Sequence, residues 1–276
     1  MPDRAWAVLA FLTVGSTALS GQGTREHLPG WNASFGIPAG WRLAQRSGRA
    51  AALTDTMETA VVFLAATFLS TPGDAATELR ALFADLHYKA DTGGAPADTT
   101  ISGRRAQVGH YRGAGLAGPV VAHSAVVFTA HGTGVTVLGV STAEHAAAVA
   151  AVVLRVAASI DAAAPVTNGA WVANLTGRWK YIPPPAARDS NAAGSAVIDE
   201  WLEFAGRERF TWRSRTVVRL PGTGPFVSEG DNDGGTYTVV GSTLVLRGGS
   251  GSRALDIQLT GDRLSVAGRL FQRTPQ

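Results

Sequence analysis

The chain of 276 residues contains no cysteine, which excludes disulfide frameworks, thiol nucleophiles, thiolate metal centres and a lipid anchor carried on cysteine. Its apolar core alone must hold it together, and a chain of this length can bury enough surface to do so. Lysine is nearly as scarce: Lys89 and Lys180 stand against 22 arginines, a ratio that reads as GC-rich bacterial coding bias before it reads as function. Charged residues make up only 16% of the chain and hydrophobic ones 45%, which excludes disorder and calls for a folded core. Long apolar runs are missing except for one, Trp6 to Leu19, which follows the weakly charged Asp3 and Arg4. It is shorter than the ~20 residues that cross a bilayer. Ala18-Leu19-Ser20 before Gly21 supplies a small-x-small cleavage site. Residues 1–20 are therefore expected to be a cleaved export signal, and the mature chain an exported protein (periplasmic, wall-associated or secreted) without a transmembrane segment.

Signatures of catalysis are equally sparse. No HExxH or GxSxG is present, and His27, His87, His110, His123, His131 and His145 form no spaced ligand pair. Gly113 to Gly118 matches the dinucleotide pattern GxGxxG, but Pro119-Val120-Val121 follows where a helix must open. This segment reads as a hairpin loop. Glu229, Asp231, Asp233 and Gly234 resemble the start of a calcium loop, yet Val240 stands where a bidentate Glu belongs. Asp231 to Gly234 reads instead as a surface turn. Asp199 and Glu200 are neighbours on a strand, so they point to opposite faces and cannot form one acid/base couple. The expectation is a non-catalytic chain with no cofactor and no metal.

Two domains are expected: 21–162, a linker at 163–173 carrying Pro165, Asn168 and Gly169, and 174–276. The fold class is α+β, an N-terminal antiparallel sheet with helices followed by an all-β antiparallel barrel or half-barrel. In the first domain, Asn32 to Ile37, Trp41 to Leu43 and the long run Ala60 to Leu69 read as strands. Thr71, Pro72 and Asp74 open a helix whose Leu79, Leu82, Phe83 and Leu86 share a face. Strands over Ala106–Tyr111, Val120–Thr129 and Gly134–Val140 follow. Ser141 and Glu144 have capping-box spacing for a second helix, which ends near Ile160 with Val149, Val152, Val153 and Val156 toward the sheet. The order is β-β-β-α-β-β-β-α.

In the second domain, Gly177–Ile182, Ile198–Phe204, Arg207–Leu220, Thr236–Val240, Thr243–Arg247, Ala254–Leu259 and Leu264–Phe271 read as short strands, with residues 186–196 as a loop.

FGIPAGWRL (Phe35 to Leu43), ISGRRAQ (Ile101 to Gln107) and the closing AASI (Ala157 to Ile160) resemble the PsbP-like α/β/α sandwich over about residues 30–161. That resemblance implies a small secreted domain and says almost nothing of activity. NLTGRWKY (Asn174 to Tyr181), GTYTVVGSTLVL (Gly235 to Leu246) and LSVAGRLFQR (Leu264 to Arg273) resemble lipocalin-like domains. This second resemblance implies an arginine, Arg273 or Arg269, stacked over Trp179 to close the barrel's end.

Arg207 to Leu220 (RERFTWRSRTVVRL) carries the strongest functional pattern. Arg207, Arg209, Arg213, Arg215 and Arg219 occupy odd positions, and Phe210, Trp212, Val218 and Leu220 even ones. A period of two gives one cationic and one apolar face. The bland reading is a strand with a wet arginine side; the sharper one is an anion-binding face. Between residues 167 and 276 there are 13 basic and 10 acidic side chains, +3, too small an excess for a nucleic-acid binder. Two functions stay open: a module binding a small apolar or anionic ligand or an envelope protein, and an assembly factor acting only through protein contacts.

Overall fold

The structure, a computed structural model, describes residues 24–69, 71–93, 95–115, 118–184, 195–206, 208–219, 226–249 and 251–275. The apolar run before Gly21, and Arg207 and Leu220, lie outside the described residues. The chain divides into two compact units, Met1–Val166 and Thr167–Gln276. Among the described residues no helix is long and apolar enough to cross a membrane.

In the first unit Arg25–Leu28 (β1), Ala33–Gly36 (β2) and Asp161–Ala162 (β11) make a small sheet. An eight-stranded antiparallel sheet contains Trp41–Arg46 (β3), Ala50–Asp55 (β4), Ala60–Phe68 (β5), Lys89–Gly93 (β6), Ala97–Ile101 (β7), Arg104–Gly115 (β8), Gly118–Phe128 (β9) and Thr133–Ser141 (β10). Its order is β3-β4-β5-β10-β9-β8-β6, with β7 also paired to β8. The β-branched run of β5 lies inside this sheet, where it is apolar on both faces.

Helix α1, Pro72–Asp85, starts on a full capping box: Asp74 N donates to Thr71 Oγ1 (3.2 Å) and Thr71 N to Asp74 Oδ2 (2.8 Å). Its Leu79, Leu82 and Phe83 pack against Tyr111, Ala122 and Leu138 on one face of the sheet. Helix α2, Ala146–Ser159, covers the other face. A Cβ on Gly139 would stand 2.5 Å from Val149 and 2.6 Å from Val153, so only glycine lets α2 come this close. Leu138 and Gly139 are adjacent and therefore face opposite helices, which gives an α/β/α layering.

Two sequence expectations are corrected in this unit. Ser141 and Glu144 form no capping box. Ser141 is the buried last residue of β10, its hydroxyl donates to Thr142 O, and a 3₁₀ turn over Ala143–His145 leads into the helix. Strands β4, β6 and β7 were not expected, because AAALTD and ADTTI carry little β-branched apolar signal. Two of the histidines, which share no ligand spacing in the sequence, meet across a hairpin. Gly115 pairs with Gly118 at the β8–β9 hairpin, and the register that follows sets His110 opposite His123, with Nδ1···Nδ1 at 3.3 Å.

Burial of His123, and then the charge of His110, hold the His123 imidazole below its ordinary pKa. The unfolded chain therefore binds more protons in the window below ~6.5, so the stabilising effect is complete above that window and is lost as pH falls through it. Lowering the pH from about 7.5 to 5 should lower the Tm of the first unit, and His123→Gln should flatten that slope. An identical slope in the variant contradicts the assignment.

The second unit is a closed barrel of eight antiparallel strands: Gly177–Tyr181 (β12), Ser195–Ala205 (β13), Arg209–Arg219 (β14), Phe226–Val240 (β15), Thr243–Gly248 (β16), Gly251–Thr260 (β17), Arg263–Val266 (β18) and Arg269–Arg273 (β19). It is a full barrel, and the count explains why. The segment Leu264–Phe271, expected as one strand, is two, turned at Ala267 (φ 48) and Gly268 (φ 78). The extra strand lets β19 pair back onto β12 and removes the open edge. Asp231 to Gly234, expected as a turn, lies inside β15, where Asp233 Oδ1 accepts from the amides of Gly234 and Gly249, both at 2.9 Å.

A helix not read from the sequence, α3 (Gly169–Leu175), starts in the segment expected as a linker. Asn168 caps it by accepting from Trp171 N (3.3 Å), and Leu175 is fully buried in the barrel core.

Candidate functional site

Alternation along β12, β13 and β14 sorts the described candidate side chains on these strands to the inside or the outside. Inside stand Trp179, Glu200, Leu202, Phe204 and Phe210, all buried, with Trp212 half-buried. Outside stand Arg178 and Lys180 on β12, Asp199, Trp201 and Glu203 on β13, and Arg209, Arg213 and Arg215 on β14.

At one end of the barrel Trp179 is fully buried, and its Nε1 donates to Leu175 O at 2.8 Å. The Arg273 guanidinium lies 4.3 Å from the ring centroid and donates to Thr176 O (2.8 Å) and to Asn174 O. Trp179 and Arg273 thus satisfy three consecutive carbonyls at the C-terminus of α3, groups a helix leaves without internal partners. Arg269 does something else. It lies 4.5 Å from the Tyr181 centroid and pairs with the carboxylate of Glu200, which also accepts from Trp212 Nε1 at 2.7 Å.

The outer face is where the arginine strand meets its neighbours. The β13–β14 hairpin register sets Trp201 opposite Arg213 and Asp199 opposite Arg215, and the β12–β13 pairing sets Lys180 opposite Trp201 and Arg178 opposite Glu203. The half-buried indole of Trp201 gathers three cations: Arg215 at 5.1 Å from the ring centroid, Arg178 at 5.6 Å and Lys180 at 6.0 Å. Asp199 accepts from Arg215 (2.7 Å) and pairs with Lys180 (3.2 Å). Burial raises the Asp199 carboxyl, but the hydrogen bonds from Arg215 and Lys180 outweigh this and hold it below its ordinary value. The pairing therefore stays ionised and fixes both cations beside the ring. Next to this cluster runs an open groove of about 650 Å³, whose lining includes Arg178, Trp201, Glu203, Thr176 and Thr274.

Of the five arginines expected on one face, Arg209, Arg213 and Arg215 are exposed there. Arg207 lies outside the described residues, and Arg219 is the last residue of β14. The sequence reading missed Arg178, Lys180, Trp201 and Glu203. Part of the signal was present: Arg178 and Lys180 flank the inward Trp179, and DEWLEF alternates polar with apolar after Asp199. What links the two segments is the pairing of β12 to β13, two strands separated by a long connection.

The sequence matches no protein-family model, and it matches no curated protein. Among solved structures the chain is similar to cyanobacterial PsbP (CyanoP) from Synechocystis sp. PCC 6803, at 12% identity, over 55% of this chain and 98% of that one, with a TM-score of 0.40. It is similar to a protein from Bacteroides thetaiotaomicron VPI-5482 at 12% identity, over 62% of this chain and 57% of that one, with a TM-score of 0.38. It is also similar to LpqN of Mycobacterium tuberculosis, described as involved in cell envelope biogenesis, at 13% identity, over 51% of this chain and 84% of that one, with a TM-score of 0.34.

Proposed function

We propose that this chain is an exported, non-catalytic binding protein that holds an anionic polysaccharide against the outer face of its barrel. The observation that carries the reading is Trp201 ringed by Arg178, Lys180 and Arg215 beside an open groove. Cations already held in place by an aromatic ring and a carboxylate lose little freedom when an anion arrives, which is where preorganised sites gain affinity. Arg178 supplies the planar fork that matches phosphate or carboxylate groups. Glu203, Thr176 and Thr274 along the groove offer partners for sugar hydroxyls. Export rests on the apolar run Trp6 to Leu19 and the small residues before Gly21.

Binding of the full chain to dextran sulfate, with neutral dextran and anionic phospholipid vesicles as comparisons, tests this reading. Dextran sulfate alone should be retained, with an affinity that falls as salt rises. Replacing Arg178, Arg213 and Arg215 together with Ser should weaken retention by at least about 100-fold, since hydrogen bonds to charged groups contribute about 1.5–3 kcal/mol each. Unchanged retention in the folded triple variant overturns the reading, as does equal binding to neutral dextran or preference for vesicles.

A further inference from the structure

The histidine pair on the first unit's sheet carries a second inference, independent of the barrel face. His110 on β8 and His123 on β9 are directly opposed across the hairpin, with ring centroids 4.6 Å apart and planes at 48°. Their Nδ1 atoms face one another at 3.3 Å. Two nitrogens bound to one metal at about 2.0–2.1 Å, at angles between square and tetrahedral, stand about 2.9–3.4 Å apart. The observed separation falls in that range before any metal is added.

We propose that His110 and His123 form a two-imidazole site for a late first-row divalent metal ion, Cu2+ ahead of Zn2+, bound through both Nδ1 atoms. Two observations support it. The two side chains stand on neighbouring strands of a hydrogen-bonded sheet, so little conformational freedom is lost on chelation. Imidazole ligands with no thiolate or carboxylate favour copper, nickel and zinc over magnesium or calcium, and the Irving–Williams order puts Cu2+ first. Among the described residues no cluster of three or more His, Asp, Glu or Cys side chains stands ready to hold a metal, so water fills the remaining positions. Ligation through Nδ1 leaves the proton on Nε2. For exposed His110 that costs little, whereas the Nε2 of His123 is buried with no partner among the described residues. This desolvation sets the site below a closed structural zinc centre in affinity.

Calorimetric titration of the full chain, free of any histidine tag, with CuCl2 near neutral pH tests the proposal. One Cu2+ per chain is expected at the tightest site. His110→Gln and His123→Gln should each weaken that site by about 100-fold, because removing one ligand ends the intramolecular second contact. Electron paramagnetic resonance of the copper-loaded wild-type chain gives a readout that does not depend on a variant folding: hyperfine structure from two imidazole nitrogens is expected. Affinity unchanged in both folded variants, or a spectrum showing one nitrogen or none, overturns the site.

Discussion

Trp179→Ala should destabilise the barrel by about 3–5 kcal/mol, the range for emptying a buried tryptophan site. The ring is fully buried at the end of the barrel core and touches three kinds of partner at once. Its indole N–H satisfies Leu175 O, its face receives the Arg273 guanidinium, and the same guanidinium holds Asn174 O and Thr176 O. Alanine leaves a cavity, a carbonyl without its donor, and an arginine without its platform. Arg273→Ala removes the other half of the arrangement and should cost less, because the cavity term is absent. The double variant should be less damaging than the two single costs added, with a coupling of about 0.5–3 kcal/mol. Denaturant unfolding of the full chain, with barrel strands followed by hydrogen exchange, reads all three. A loss for Trp179→Ala below half the stated range, or strict additivity with Arg273→Ala, contradicts the closing role.

Glu200→Leu should cost a comparable amount, about 3–5 kcal/mol, for a different reason. The Glu200 side chain is 2% exposed, yet it lies inside the barrel as an ion-pair partner of Arg269 and an acceptor for Trp212. Removing the carboxylate leaves a guanidinium with no counter-charge against the barrel interior. Replacing the pair together, Glu200→Leu with Arg269→Met, should recover most of the loss, since apolar pairs of similar size substitute well for buried ion pairs. A double variant as unstable as Glu200→Leu alone would show that the pairing with Arg269 is not what makes Glu200 costly to remove.

Both networks show what the sequence could and could not disclose. Period-two alternation in RERFTWRSR was enough to place Arg209, Arg213 and Arg215 on one side and Phe210 on the other. Thr71, Pro72 and Asp74 marked a helix start to the residue, because a capping box is a local object. Glu200 was legible as facing away from Asp199, but its burial was not, since Arg269 reaches it from 69 residues later. Trp201 gains its role only from the pairing of β12 with β13, which brings Arg178 and Lys180 beside it. His110 and His123 share no metal-ligand spacing in the chain, and their meeting follows from the Gly115–Gly118 hairpin register. Short helices such as Gly169–Leu175, and strands of low β propensity such as Ala50–Asp55, were missed because tertiary packing rather than local preference holds them in place.

The scarcity of lysine supplies the most direct test of the barrel face. Lys180 belongs to the cluster around Trp201, and Lys89, the one other lysine, is exposed on the first unit. Acylation of the full chain with a limiting amine reagent, read by mass spectrometry with and without dextran sulfate, compares the two side chains within one molecule. The account predicts that the polyanion slows modification of Lys180 and leaves Lys89 unchanged. Equal rates at Lys180 with and without the polyanion, or protection of Lys89 instead, would contradict it.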